Sequence, residues 1–187
     1  QDANDSRDLG DWIVNQDWSD GRIFLMGASA DGIESYQTPR SQPDWIKAQY
    51  VIWAPAQLYN VLFAGGTYKQ KTTEDWLHGL TMPNPAVADA CIQTAHENEA
   101  HTPFWREIEL NNEYYSKITW PSAFYAGWWD IFLEGTLEGF HGFNAKSHPS
   151  VANTGKLIVD PYGRLRGSHR IGSSADLRAF WNLHPAS

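Results

Sequence analysis

The sequence predicts an α/β fold, a mostly parallel sheet covered by helices with a helical cap inserted between core strands. Short, nearly continuous apolar runs recur at Ile23 to Met26, Ile46 to Ala54, Ala123 to Gly127 and Lys156 to Asp160, as in strands buried on both faces. Helix-like segments alternate with these runs, which favours a parallel sheet. Between the second and third runs, the stretch from Ala64 to Tyr115 is polar, aromatic and punctuated by Pro, which reads as the inserted cap. The expected division is therefore 1–63 core, 64–115 cap and 116–187 core.

From the N-terminus, Asp5 or Ser6 can cap a first helix with Leu9, Trp12, Ile13 and Gln16 on one side, ending near Trp18-Ser19-Asp20-Gly21. The first strand follows directly. In "RIFLMGASADGI" Gly27 permits a tight turn, and Ala30 to Gln37 can form the next helix. Within the cap, helix-like pieces lie around Thr73 to Leu77 and Ala86 to Asn98, and Gly65-Gly66 reads as a turn because the other parts of a phosphate loop are absent. After the third strand, Ile131 to Phe143 places Phe132, Leu133, Leu137 and Phe140 on an apolar side. Ala175 to Leu183 reads as a closing helix.

Composition narrows the function. With 187 residues and 42% hydrophobic content the chain can build a substantial core. Lys plus Arg number 14 against 22 Asp plus Glu, a net charge of −8 without a basic run, so no nucleic-acid partner is expected. No apolar stretch approaches the roughly 20 residues of a membrane span, so no membrane partner is expected either. Cys91 is the single cysteine, which excludes an internal disulfide or a cysteine-based zinc site and reads as a small core residue. Asn4-Asp5-Ser6 is a glycosylation sequon compatible with a secreted or extracellular protein, and the compartment stays open. Ten Trp residues could line an apolar cleft, although their scatter favours packing roles for most of them.

Gly and Ser are common turn residues, so the case for Ser29 rests on its context. A strand, a sharp turn and a helix lift a Ser hydroxyl clear of a sheet, and the backbone N–H of Ala30 then points where an oxyanion would develop. Asp31 stands where such turns usually carry a second Gly, with Gly32 following, and could crowd the turn. Asp130, in Gly127-Trp128-Trp129-Asp130, lies just past a strand end, where open parallel sheets place their active sites; it is also suited to capping the helix that follows. His96 and His101 are spaced by five residues rather than the four of a zinc-protease helix, so on a helix they point roughly 140° apart and no metal site is expected.

The stretches "DWIVNQDWSDGRIFLMGASADGI", "YAGWWDIFLEGTLEGF" and "KLIVDPYG", with "HTPFWREIEL" in the cap, resemble the Xaa-Pro dipeptidyl-peptidase and cocaine-esterase family of α/β-hydrolases, from about Asp8 to Gly163. The resemblance implies a serine hydrolase acting on a small acyl ester or peptide substrate, with no metal or organic cofactor. It implies a triad in which Ser29 is the nucleophile and Asp130 the acid that orients the base. The base does not transfer, because Arg164 occupies the position where the family has His after a Pro-aromatic pair. Arg stays protonated and cannot accept the serine proton. Either His169 supplies the base, or the chain is a catalytically impaired relative with a binding or assembly role. Trp76, Trp105, Trp128 and Trp129 would shape an apolar acyl or prolyl pocket.

The family carries further strands ahead of the segment that matches Asp8, including a loop that contributes to the oxyanion hole. These residues therefore read as the C-terminal part of a hydrolase core. An associated polypeptide, or a preceding N-terminal segment, is expected to complete the sheet beside Arg22 to Met26, whose apolar edge would otherwise invite aggregation.

Overall fold

The computed structural model describes residues 2–161. Arg164, His169 and the expected helix from Ala175 to Leu183 lie outside the described residues. The described residues fall into two compact units, one running to Ala56 and resuming at Leu110, the other comprising Gln57–Glu109.

In the first unit, α1 (Asp2–Val14) leads to β1 (Ile23–Ala28), α2 (Ala30–Gln37) and a short 3-10 turn at Thr38–Ser41. β2 (Ile46–Ile52) completes the segment before the second unit. The helix α1 begins earlier than the capping signals at Asp5 and Ser6 suggest. Its Gly10 lies against the Trp45 ring, where no Cβ would fit, and Trp45 Nε1 donates to Asp11 Oδ1 at 2.8 Å.

The second unit contains α3 (Leu58–Leu62), the two-stranded β3 (Phe63–Ala64) and β4 (Thr67–Tyr68), α4 (Gln70–Leu80), α5 (Pro85–Glu97) and α6 (Pro103–Ile108). Gly65 and Gly66, at φ 62° and 82°, make the turn of the small hairpin, a conformation that costs Gly little. Leu62, Phe63, Ala95 and Trp105 form its apolar core, whereas Cys91, expected in a core, is exposed on α5.

Back in the first unit, α7 (Asn112–Tyr115) precedes β5 (Ser122–Gly127), α8 (Leu133–Lys146) and β6 (Lys156–Asp160). The four long strands make one sheet in the order β1-β2-β5-β6, and every pairing is parallel. Side chains alternate across it, as the period of two requires. Val51, Phe124 and Leu157 join Tyr36 of α2 and Phe140 and Phe143 of α8 on one face. Tyr50, Ile52, Ala123 and Tyr125 gather with Trp53 and Ala28 in a separate cluster. All four strands run the same way, so their C-terminal ends share one edge of the sheet, where the loops carrying Ser29 and Asp130 begin.

Candidate active site

Ser29 immediately follows β1 and precedes α2, with φ 59° and ψ −120°. A residue with a Cβ pays roughly 1–3 kcal/mol to hold such a conformation, and the surroundings hold it firmly. Its N–H donates to Ile52 O at 3.0 Å, while its carbonyl accepts from Ile33 N–H at 3.0 Å. The two flanking glycines explain how helix and strand come so close. A Cβ on Gly27 would strike the Asp31 carbonyl, and one on Gly32 would lie 2.6 Å from Ala54 Cβ and 3.0 Å from Gly27 O. Gly32 thus supplies the close approach to the strand, and Asp31 is exposed in the first turn of α2. Ala30, the first residue of that helix, has an N–H among those that intrahelical bonding leaves free.

Asp130 lies beyond the end of β5 in the turn leading to α8. Its Oδ1 accepts the Phe132 N–H at 2.8 Å, and its own N–H donates to Gly127 O at 3.0 Å. This local turn delays α8 to Leu133, so Asp130 precedes the helix rather than capping it at Ile131. Since β2 separates β1 from β5, the ends that carry Ser29 and Asp130 stand about 10 Å apart at ordinary strand spacing. A base between them would span that gap, as the middle member of a triad does. β6 ends next to β5 at Asp160, so the segment that follows starts beside the acid-bearing turn.

Trp128 and Trp129 are exposed, at 59% and 78%. Trp76 and Trp105 belong to the second unit, where Trp105 is buried and donates through Nε1 to Asn98 O at 2.7 Å. The two histidines of the zinc-like spacing are on separate segments. His96 sits near the end of α5 beside Glu99, whereas His101 lies 2.8 Å from Glu109 Oε2. Among the described residues no group of His, Cys, Asp or Glu could hold a metal, and no helix is long and apolar enough to cross a membrane.

A parallel sheet with a Ser on a strained strand-to-helix turn, and an Asp beyond the strand after next, defines an α/β-hydrolase fold. The same fold appears in a CocE/NonD family hydrolase from Staphylococcus aureus, with a TM-score of 0.78 and 22% identity over 97% of this chain and 32% of that one. An acylaminoacyl peptidase from Pyrococcus horikoshii gives a TM-score of 0.62 at 14% identity, covering 94% of this chain and 26% of that one. Acetyl xylan esterase 1 from Thermoanaerobacterium sp. gives 0.61 at 15%, over 99% and 52%. The chain spans about a third of the length of the staphylococcal hydrolase.

The model of the X-Pro dipeptidyl-peptidase family, S15, matches residues 1–90. It is the family that the motifs resemble, and the matched stretch carries the Ser29 turn. No curated protein matches the chain in sequence.

Proposed function

We propose that this chain carries the nucleophile and acid of a serine hydrolase that cleaves ester or peptide bonds by acyl transfer. The observation that carries the reading is Ser29 itself, held at φ 59° between the end of β1 and a helix N-terminus by two glycines that leave no room for a side chain. In the reaction, Ser29 Oγ attacks the substrate carbonyl carbon and its proton passes to a base oriented by Asp130. The Ala30 N–H donates to the oxyanion. Collapse of the tetrahedral adduct expels the alcohol or amine, which takes the proton from the base, and water then releases the acid by the same steps in reverse order. Trp128 and Trp129 offer apolar surface for the acyl or prolyl part of the substrate. None of these steps needs a metal or organic cofactor.

Arg164 favours a second reading, in which the site has lost its base and the protein binds or assembles without turnover. Labelling by a fluorophosphonate probe decides between them. In the hydrolase reading the protein is labelled and Ser29→Ala abolishes the labelling, whereas unlabelled folded protein beside a labelled active hydrolase overturns it. The same assay assigns the base. If His169 serves, His169→Ala removes the labelling and Arg164→His adds little; if the base is missing, Arg164→His raises reactivity by a factor on the order of 100.

A further inference from the structure

The first helix carries a surface that the hydrolase chemistry does not use. The apolar side expected of α1 is divided in the structure. Ile13 faces a groove between α1, β1 and α2, whereas Leu9 and Trp12 stay 58% and 56% exposed. Trp18, 70% exposed, meets Trp12 edge-on with ring centroids 6.2 Å apart. Leu9, one turn before Trp12, also borders the groove, whose apolar wall continues through Ile13, Ile23, Leu25 and Trp45. Apolar side chains thus follow one another from Trp18 across α1 and into the groove.

Carboxylates border this stripe on both elements. Asp5 and Asp8 are exposed on α1, one turn before Leu9 and Trp12 respectively, and so share their outward face. Across the groove, the exposed Asp31 and Glu34 belong to α2. The first 22 residues hold six Asp against two Arg, and both Arg are directed elsewhere. Arg7 donates to Ser41 O and lies 3.5 Å from Asp11, while Arg22 pairs with Asp20 at 2.7 Å.

We infer that the outward face of α1 and the groove beside it dock a basic amphipathic helix of another polypeptide. Its apolar residues cover Trp18, Trp12, Leu9 and the groove, and its Lys or Arg side chains reach the bordering carboxylates. Charge and shape select this occupant. Contiguous exposed apolar surface marks interaction sites, and Trp is a frequent energetic anchor of interfaces. A second copy of this chain would bring the same acidic border, at a net charge of −8, and like charges facing one another oppose association. An anionic bilayer is repelled for the same reason. A helix with apolar residues at i, i+3, i+4 and i+7 and cations between them matches both the stripe and its border. The inference is independent of the chemistry at Ser29.

The probe is a dye-labelled synthetic helix of about 18 residues, with Leu at that spacing and Lys at the other positions, titrated with the full chain and followed by anisotropy. Binding should saturate and should weaken as salt rises. Trp12→Ala combined with Trp18→Ala is expected to weaken it on the order of tenfold or more. Asp5→Asn combined with Asp8→Asn should weaken it roughly threefold or more and make the salt dependence shallower. The Asp variants change only exposed groups, so they test the surface even where loss of both tryptophans unfolds the chain. Met82→Ala, at an exposed apolar side chain of the second unit, should leave binding unchanged. Undiminished binding in either pair of variants would overturn the inference. So would equal affinity for a peptide with its Leu positions scrambled, or for one with Glu in place of Lys. A parent chain that dimerises in sedimentation and becomes monomeric without Trp12 and Trp18 would assign the stripe to a second copy instead, which also overturns it.

Discussion

At the residue scale, Ser29 holds a backbone conformation that its residue type resists. Its dihedral pair lies where glycine is at ease and serine is not. Ser29→Ala keeps the strain while removing the hydroxyl, so the pair of variants Ser29→Ala and Ser29→Gly separates the two. Ser29→Gly should be more stable than Ser29→Ala by about 1 kcal/mol in denaturant unfolding, the relief of strain being partly offset by the greater freedom of Gly in the unfolded chain. Equal midpoints would show that the strain relieved does not exceed the added freedom of Gly in the unfolded chain. The turn at this residue is legible in the sequence, because an apolar run, Gly27 and a helix-forming stretch surround it. Its tolerance of Asp31 is not. The usual second glycine is displaced by one position, and only the packing of Gly32 against Ala54 reveals that the close approach has moved with it. Nor could the hydrogen bond that the Tyr125 hydroxyl donates to Asp160 Oδ2 at 2.8 Å be read, since it joins residues 35 apart that become neighbours only through strand register.

At the scale of elements, α8 packs against tyrosines of α2 and α7 through glycines. A Cβ on Gly139 would collide with the Tyr36 hydroxyl, and one on Gly142 with the Tyr115 ring. Both tyrosines are buried, and Tyr36 stacks on Phe124 at 6.3 Å. Gly139→Ala should therefore destabilise the protein by about 2 kcal/mol, and by less in a Tyr36→Phe background, where the nearest colliding atom is gone. A double-mutant cycle measures that coupling; strictly additive costs would mean that the helix shifts as a whole. The same tyrosines set an alkaline limit. Burial first, and then the neighbouring Tyr115, push the Tyr36 phenol well above its ordinary 10.0. Burial and Glu138 push Tyr115 the same way. A phenol raised in the folded state contributes its full stability below the unfolded value and loses it as pH rises past about 10. Stability should be flat up to that pH and fall above it, less steeply in Tyr36→Phe, as followed by thermal melts across the range. Element boundaries show what local pattern carries. Lys156–Asp160 and Ala30–Gln37 are bounded by turn residues and read correctly, whereas β2 stops at Ile52 rather than Ala54 because Trp53 turns left-handed.

At the scale of the molecule, the position of the second unit in the chain has a consequence for folding. Leu110 N–H donates to Ala56 O at 3.2 Å, so the chain leaves the first unit and returns to it at adjacent backbone groups. The second unit comprises Gln57–Glu109. Its limits at Gln57 and Glu109 are set by that long-range pairing and by the buried Glu109 carboxylate, which accepts the Tyr59 N–H at 2.7 Å. Contacts of this kind leave no periodic trace in sequence. Because the two ends are already joined, replacing residues 57–109 by a flexible link of about four residues asks for no new loop geometry. The sheet, α2 and α8 draw the packing within their own unit from clusters that contain no residue of the insertion. The shortened protein should therefore keep a single cooperative thermal transition and Ser29 in its strained turn, visible as the same Ser29→Gly stabilisation measured in the parent. Broad, non-cooperative melting of the shortened chain would show instead that residues 57–109 fold as part of the same cooperative unit, and that the division drawn at Ala56 and Leu110 is one of compactness without independence.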